Sequence, residues 1–106
     1  MPSDCVFCKI ADGTIPAKKE FEDETYVVFH DIHPKAKTHL LIIPKRHIAT
    51  VNDMASEQDV ELIGGMFLLA KEIAAKKGIA GYKLQFNVGA DGGQEVMHVH
   101  LHFLAD

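Results

Sequence analysis

The sequence predicts a chain that mixes α and β structure, with several strands arranged around one long helix. Three observations carry that expectation. Residues 98–104 alternate histidine with apolar residues at the period of a strand. Three further stretches, 26–31, 38–43 and 82–88, are rich in β-branched, aliphatic or aromatic residues. Between the last two of these, Ser56 to Lys77 holds the one long helical pattern.

Taken in order, the chain opens on Cys5-Val6-Phe7-Cys8, its only two cysteines. Asp4 stands where it could cap a short helix running through Ala11. The Cys-x-x-Cys spacing admits three readings: a redox pair, half of a zinc site, or two core thiols. A thioredoxin-like pair belongs between a strand and a helix, a setting missing here, and a structural disulfide is disfavoured in a reducing compartment. Zinc would need two further ligands, for which the histidines are candidates. Asp12-Gly13-Thr14-Ile15-Pro16 is a turn punctuated by glycine and proline. Residues 18–24 are charged and suit a short strand with a hairpin connection. Tyr26 to Asp31 is a strand with Phe29 and Asp31 on one face. His33-Pro34-Lys35-Ala36-Lys37 is a loop, since proline holds its predecessor extended. Thr38-His39-Leu40-Leu41-Ile42-Ile43 is apolar on both faces and hence a central strand. Pro44 ends its ladder, and Lys45-Arg46-His47 follows.

Ser56 begins the long helix, with Asp59 three residues on as a variant of the capping box. Gly78 suits the position just past its end. Ile63, Phe67, Ala70 and Ile73 or Ala74 form an apolar stripe. Gly64-Gly65 within it costs roughly 1 kcal/mol per glycine against alanine. Either another backbone approaches there, such as a partner subunit's, or the helix tolerates the pair. Tyr82 to Val88 is a strand. Gly89-Ala90-Asp91-Gly92-Gly93-Gln94 is a glycine-rich loop whose amides can turn inward around an anion. It runs into the histidines, so a phosphate could sit between its N–H groups and the imidazoles.

In the final strand His98, His100 and His102 share one face, and Val99, Leu101 and Phe103 the other. The apolar face suits a core, which leaves the histidines facing a cleft or pocket. One metal ion does not gather all three. At the rise of a strand, the backbones of His98 and His102 lie roughly 13 Å apart, whereas zinc–nitrogen bonds are about 2.1 Å. The histidines therefore divide the labour.

A chain of 106 residues with 47% apolar composition suits one domain, 1–106, with a real core. A net charge of −4 without a lysine or arginine run argues against nucleic acid as a partner. No apolar run is long enough to span a membrane. Met1-Pro2-Ser3-Asp4 lacks the basic-then-apolar pattern of a signal sequence. A soluble, cytoplasmic protein is expected.

His98-Val99-His100-Leu101-His102-Phe103-Leu104 matches the His-φ-His-φ-His-φ-φ signature of the histidine triad family. Phe7-Cys8-Lys9-Ile10, Ile15-Pro16, Phe29-His30-Asp31-Ile32, Thr38-His39, Ile43-Pro44-Lys45, Asn87 with Gly89, and Gly92-Gly93-Gln94 resemble its nucleotide-binding Hint branch. The resemblance spans nearly the whole chain. It implies an α+β fold: a five-stranded antiparallel sheet with one long helix and a short N-terminal helix, paired as a homodimer. It implies hydrolysis of purine nucleoside 5′-phosphoramidates and related AMP or GMP conjugates. The alternatives are a dinucleoside polyphosphate hydrolase and a nucleotide-binding partner protein with incidental turnover. The nucleotidyl transferase branch has glutamine in place of the third histidine, and His102 stands against it.

On this resemblance His100 is the nucleophile. A neutral imidazole can attack the α-phosphorus without first removing a hydroxyl proton. The nucleotidyl-histidine it forms is itself labile, so water can cleave it. The other ring nitrogen should be held by a hydrogen bond that sets the tautomer. His102 would donate to a phosphate oxygen, and Asn87 with the amides near Gly93, Gln94 and Glu95 would hold the remaining oxygens. Asp31 would take the ribose hydroxyls, and Val6, Phe7, Ile15, Phe29 and Ile32 would form an apolar slot for the base. Glu95 stands where several relatives have serine, and only its amide is expected to face the phosphate. The resemblance also completes a Cys₂His₂ set suited to structural zinc: Cys5, Cys8, His47 and His98.

Overall fold

The computed structural model describes residues 4–106. Residues 1–3, part of the stretch read for a signal sequence, lie outside them. Strands β1 (Lys19–Glu22), β2 (Tyr26–His30), β3 (Thr38–Pro44), β4 (Lys83–Phe86) and β5 (Leu101–Ala105) form one sheet in the order β1-β2-β3-β5-β4. Every neighbouring pair is antiparallel. Helix α1 spans Val6–Ala11, and α2, Glu57–Lys77, fills the crossing from β3 to the edge strand β4. This is the expected α+β fold. The doubly apolar β3 is the central strand, as its sequence demands.

Cross-strand partners share a face of the sheet. Val28 pairs with Ile42, Leu40 with Phe103, and Ile42 with Leu101. That face packs under Met66, Leu69, Ala70, Ile73 and Ala74 of α2. The opposite face carries Val27, Phe29, Leu41 and Ile43 and is covered by Phe7, Cys8, Ile10 and Ala11 of α1. His102 pairs with Leu41, so it belongs to this second face. His39, two residues before Leu41, and Asp31, two beyond Phe29, continue it.

The ends of α2 follow the sequence. The Ser56 hydroxyl accepts the Asp59 amide at 3.1 Å, and the Asp59 carboxylate accepts the Ser56 amide at 3.2 Å. Gly78 closes the helix at φ 69°, in the left-handed region. The buried stripe differs from the expected one. Phe67 is 41% exposed and leans on Phe86, their rings 5.8 Å apart, while Met66 and Leu69 are buried. Apolar residues occupy nearly every position from Leu62 to Ala70, so the period can be drawn in more than one phase. Packing on the sheet selects the phase.

Three other local expectations are corrected. Asp4 is not the cap of α1: Cys5 is, its Sγ accepting the Cys8 amide at 3.3 Å. At Gly65 the close approach is by a side chain and not a backbone. The Tyr26 hydroxyl donates to the Leu62 carbonyl at 2.7 Å, and a Cβ on Gly65 would clash with the Tyr26 hydroxyl oxygen. Nothing lies within 4 Å of a Cβ on Gly64. The last strand starts at Leu101 and not at His98. Its neighbours β3 and β4 pair no further back than Ile42 and Phe86. The chain before it turns aside, and the Val99 amide donates to Ile48 O at 2.7 Å.

Candidate active site and metal tetrad

His100 and His102 stand side by side in one site, and backbone groups order their protons. The His100 Nδ1 lies 2.8 Å from the His98 carbonyl oxygen. A carbonyl can only accept, so Nδ1 carries the proton and Nε2 of the neutral ring is a lone pair. His102 is ordered the other way, through His39. The Lys35 amide donates to His39 Nδ1 at 3.0 Å, which places the His39 proton on Nε2. That nitrogen is 2.9 Å from His102 Nδ1, which must accept. The His102 proton is therefore on Nε2. Two adjacent imidazoles, ring centroids 4.9 Å apart, thus stand in opposite tautomers: one free lone pair and one free N–H.

The same reasoning settles the contact between His39 Nε2 and Asp31 Oδ2 at 3.4 Å. An ion pair would need an imidazolium, but His39 Nδ1 accepts an amide and cannot carry a second proton. Burial lowers the His39 pKa, in agreement. Asp31, His39 and His102 do bring three donor atoms close together. They form a poor metal site, because metal at His39 Nε2 would force the proton onto Nδ1, against the Lys35 amide.

The glycine-rich loop is braced from within. Gly89, at φ 74°, and Gly93, at φ 87°, supply left-handed turns that favour glycine. The buried Gln94 side chain donates to Ala49 O at 2.7 Å and to Val96 O at 3.0 Å, and accepts the Gly89 amide at 2.9 Å. The Gly93 and Gln94 amides donate to Ala90 O and Gly89 O, each at 3.0 Å. Of the three amides expected to face a phosphate, Glu95's has no partner among the described residues. Asn87 donates to Gly92 O at 2.9 Å, and its Nδ2 keeps a second N–H.

The first histidine of the row departs from its expected place. His98 is fully buried, at 0% exposure, and lines no cleft. Its Nε2 lies 2.8 Å from the Pro44 carbonyl, so Nε2 carries the proton and Nδ1 is the lone pair. Nδ1 faces Cys5 Sγ at 3.4 Å, Cys8 Sγ at 3.5 Å and His47 Nδ1 at 3.3 Å. Cys8 Sγ is 3.3 Å from His47 Nδ1. Both cysteines are free thiols. Burial, then the neighbouring Cys5, pushes the Cys8 thiol up to about 11, so without a cation it stays protonated. These four residues lie close enough to hold a metal ion. His98 offers its lone pair in the tautomer that a metal requires, which His39 does not.

Phe7, between the two cysteines, makes T-shaped contacts with His100 at 5.1 Å and with Phe29 at 5.4 Å between centroids. Phe7 and Phe29 are buried, Val6 is exposed, Ile15 half-buried, and Ile32 is 86% exposed beside the half-buried Asp31. A cavity of about 430 Å³ opens on the tetrad side, lined by Cys5, Val6, His47, Glu95, Val96 and Met97 among others. His100 and His102 do not line it.

Residues 4–106 match the family described as "Scavenger mRNA decapping enzyme C-term binding". Protein HitA of Neisseria gonorrhoeae is 46% identical over 101 residues, 94% of each chain. The purine nucleoside phosphoramidase of Escherichia coli K12 is 42% identical over 98% of this chain and 88% of that protein. A HIT family hydrolase from Legionella pneumophila superposes with a TM-score of 0.92 at 53% identity, covering 96% of this chain and 92% of that one. A histidine triad protein from Clostridium difficile superposes at 0.94 and 38% identity, over 100% and 93%. The chain belongs to the histidine triad family. It is a HIT family hydrolase.

In this histidine triad chain, burial lowers the pKa of His100, against the His98 carbonyl and then the Asp31 and Glu95 carboxylates. Burial, then His100 and His39, brings His102 down to about 4. Both rings are therefore neutral near pH 7. Sequence reasoning missed His39, the residue that orders the HIT triad's third histidine. Its position two residues before Leu41 on the Asp31 face was a readable signal, but Lys35's amide was not.

Proposed function

We propose that this chain hydrolyses purine nucleoside 5′-phosphoramidates and related nucleoside monophosphate conjugates through a nucleotidyl-histidine on His100. The opposite tautomers of His100 and His102 are the observation that carries this reading. In the first step the His100 Nε2 lone pair attacks the α-phosphorus. The phosphorus–nitrogen bond breaks, and the amine leaves with the electron pair and takes up a proton from solvent. In the second step water attacks the same phosphorus and gives up a proton to solvent, the bond to His100 breaks with its electron pair returning to Nε2, and a nucleoside monophosphate departs. The His98 carbonyl keeps the His100 ring oriented throughout. His102 Nε2–H donates to a non-bridging oxygen, with Asn87 Nδ2 and the Glu95 amide as further donors to developing charge. Gly93 and Gln94 serve by shaping that amide's loop. Asp31 takes the ribose hydroxyls, and the exposed Ile32 with Phe7 and Phe29 behind it lies along the base. The phosphoramidase relative at 42% identity supports the substrate class.

The residues present fit a thiolate-preferring cation. Cys5, Cys8, His47 and His98 would hold structural zinc, whose chemistry there is to cross-link α1 to the β3–α2 connection and the segment before β5. Free buried thiols suit a reducing, cytoplasmic setting. The unit is one domain, residues 1–106, in a homodimer. Exposed Val60, Phe67 and Leu68 on α2 supply the apolar face that pairing would cover.

The test compares kcat/KM on adenosine 5′-phosphoramidate and on diadenosine polyphosphates. Faster turnover of the phosphoramidate is expected. Preference for the dinucleotide would reassign the substrate, and AMP binding without turnover of either would reduce the chain to a binding protein.

A further inference from the structure

His98 belongs to both halves of the site. Its side-chain Nδ1 faces Cys5, Cys8 and His47 at 3.3–3.5 Å. Its carbonyl accepts the His100 Nδ1–H at 2.8 Å. A second link runs in parallel. Phe7, between the two tetrad cysteines, makes T-shaped contacts with His98 and His100, ring centroids 6.1 and 5.1 Å away. Neutral thiols are weak hydrogen-bond donors, so without a cation three separate segments meet at this point through weak contacts. Coordination would replace those contacts and fix all three.

We propose that His98 is a positioning residue through which metal occupancy of the Cys5–Cys8–His47–His98 tetrad sets the tautomer and orientation of His100. The proposal rests on the reading of His100 as nucleophile. The ligand class is a divalent cation that accepts mixed thiolate and imidazole donors, Zn²⁺ or, as a spectroscopic probe, Co²⁺. A metal that only stabilised the fold would raise the melting temperature and leave the His100 ring alone. One that positions His98 moves kcat more than KM, because the phosphate donors His102, Asn87 and Glu95 lie outside the tetrad.

The full chain is stripped with a chelator and reloaded with Zn²⁺ or Co²⁺. Cobalt–thiolate absorption reports occupancy independently of activity, and ¹⁵N-imidazole NMR reads the His100 tautomer. In the stripped protein we expect kcat to fall by at least about tenfold, the scale of lost support around a metal site. KM should change less than kcat, and the single Nδ1–H tautomer of His100 should give way to a mixture. Unchanged kcat and His100 signals on stripping would overturn the proposal even if the melting temperature drops, as would failure of Co²⁺ to give thiolate bands. If stripping unfolds the chain, His47→Asn carries the same measurements. It removes the one half-buried ligand and keeps His98 and both thiols. Wild-type kcat and tautomer in that variant would also overturn it. A loaded protein without turnover would defeat the nucleophile reading, while the tautomer comparison still decides the His98 link.

Discussion

At the scale of residues, two main-chain groups decide what the histidines can do. The His98 carbonyl leaves His100 with a free lone pair, and the Lys35 amide, acting through His39, leaves His102 with a free N–H. His39→Phe should therefore lower kcat by on the order of 10²-fold, the scale of losing one preorganised donor. Steady-state kinetics check this, and a near-wild-type kcat would contradict the proton ordering. The alternation of histidines made the residues legible as a group. It could not order their protons, because the partners are backbone atoms at Lys35 and His98 that side-chain periodicity does not encode. It also placed His98 on a cleft, when the ladder ends at Leu101 and the chain before it turns into the core.

The same burial makes stability depend on pH. The folded His102 pKa is depressed from 6.5 to about 4, and that of His39 is lowered too. Between those pH values the unfolded chain binds more protons than the folded one, so stability falls as pH falls. It is full above about pH 6.5 and declines toward pH 4. Thermal melts across this window should show the decline, and His102→Gln should flatten it. A melting temperature that rises on acidification would contradict the assignment of neutral buried rings.

At the scale of elements, α2 shows what patterning can and cannot give. Its capping box and terminal Gly78 are local chemistry and were legible to the residue. The buried phase was not, because Leu62 to Ala70 is apolar almost throughout and the sheet chooses the side. The same contact explains Gly65. Alanine in an open helical position gains about 1 kcal/mol over glycine. At Gly65 the new Cβ would clash with the Tyr26 hydroxyl. Gly65→Ala should instead destabilise by about 1–3 kcal/mol, the usual range for overpacking, and by less in a Tyr26→Phe background. Urea denaturation of the four variants measures this. A stabilised Gly65→Ala single variant would contradict the close approach.

At the scale of the molecule, the sheet separates two tasks. One face packs on α2 and holds the chain together. The other face, with α1 and the glycine-rich loop, gathers the titratable groups. Among exposed charged residues, α2 also carries an apolar patch, with Val60 67% and Leu68 63% exposed. On the proposed pairing through this patch, the wild-type chain should run as a dimer and Leu68→Glu as a monomer in size-exclusion light scattering, with unchanged far-UV circular dichroism. A wild-type monomer at micromolar concentration would remove the homodimer from the account.

Catching the nucleotide on the protein tests the role of His100 without intermediaries. Wild-type chain is mixed with adenosine 5′-phosphoramidate, quenched in alkaline denaturant during turnover, and mapped by mass spectrometry. An AMP adduct on His100 is expected, absent from His100→Ala, which should lose on the order of 10⁴-fold or more in kcat as nucleophile deletions do. Turnover with no adduct, or an adduct on another side chain, would contradict it.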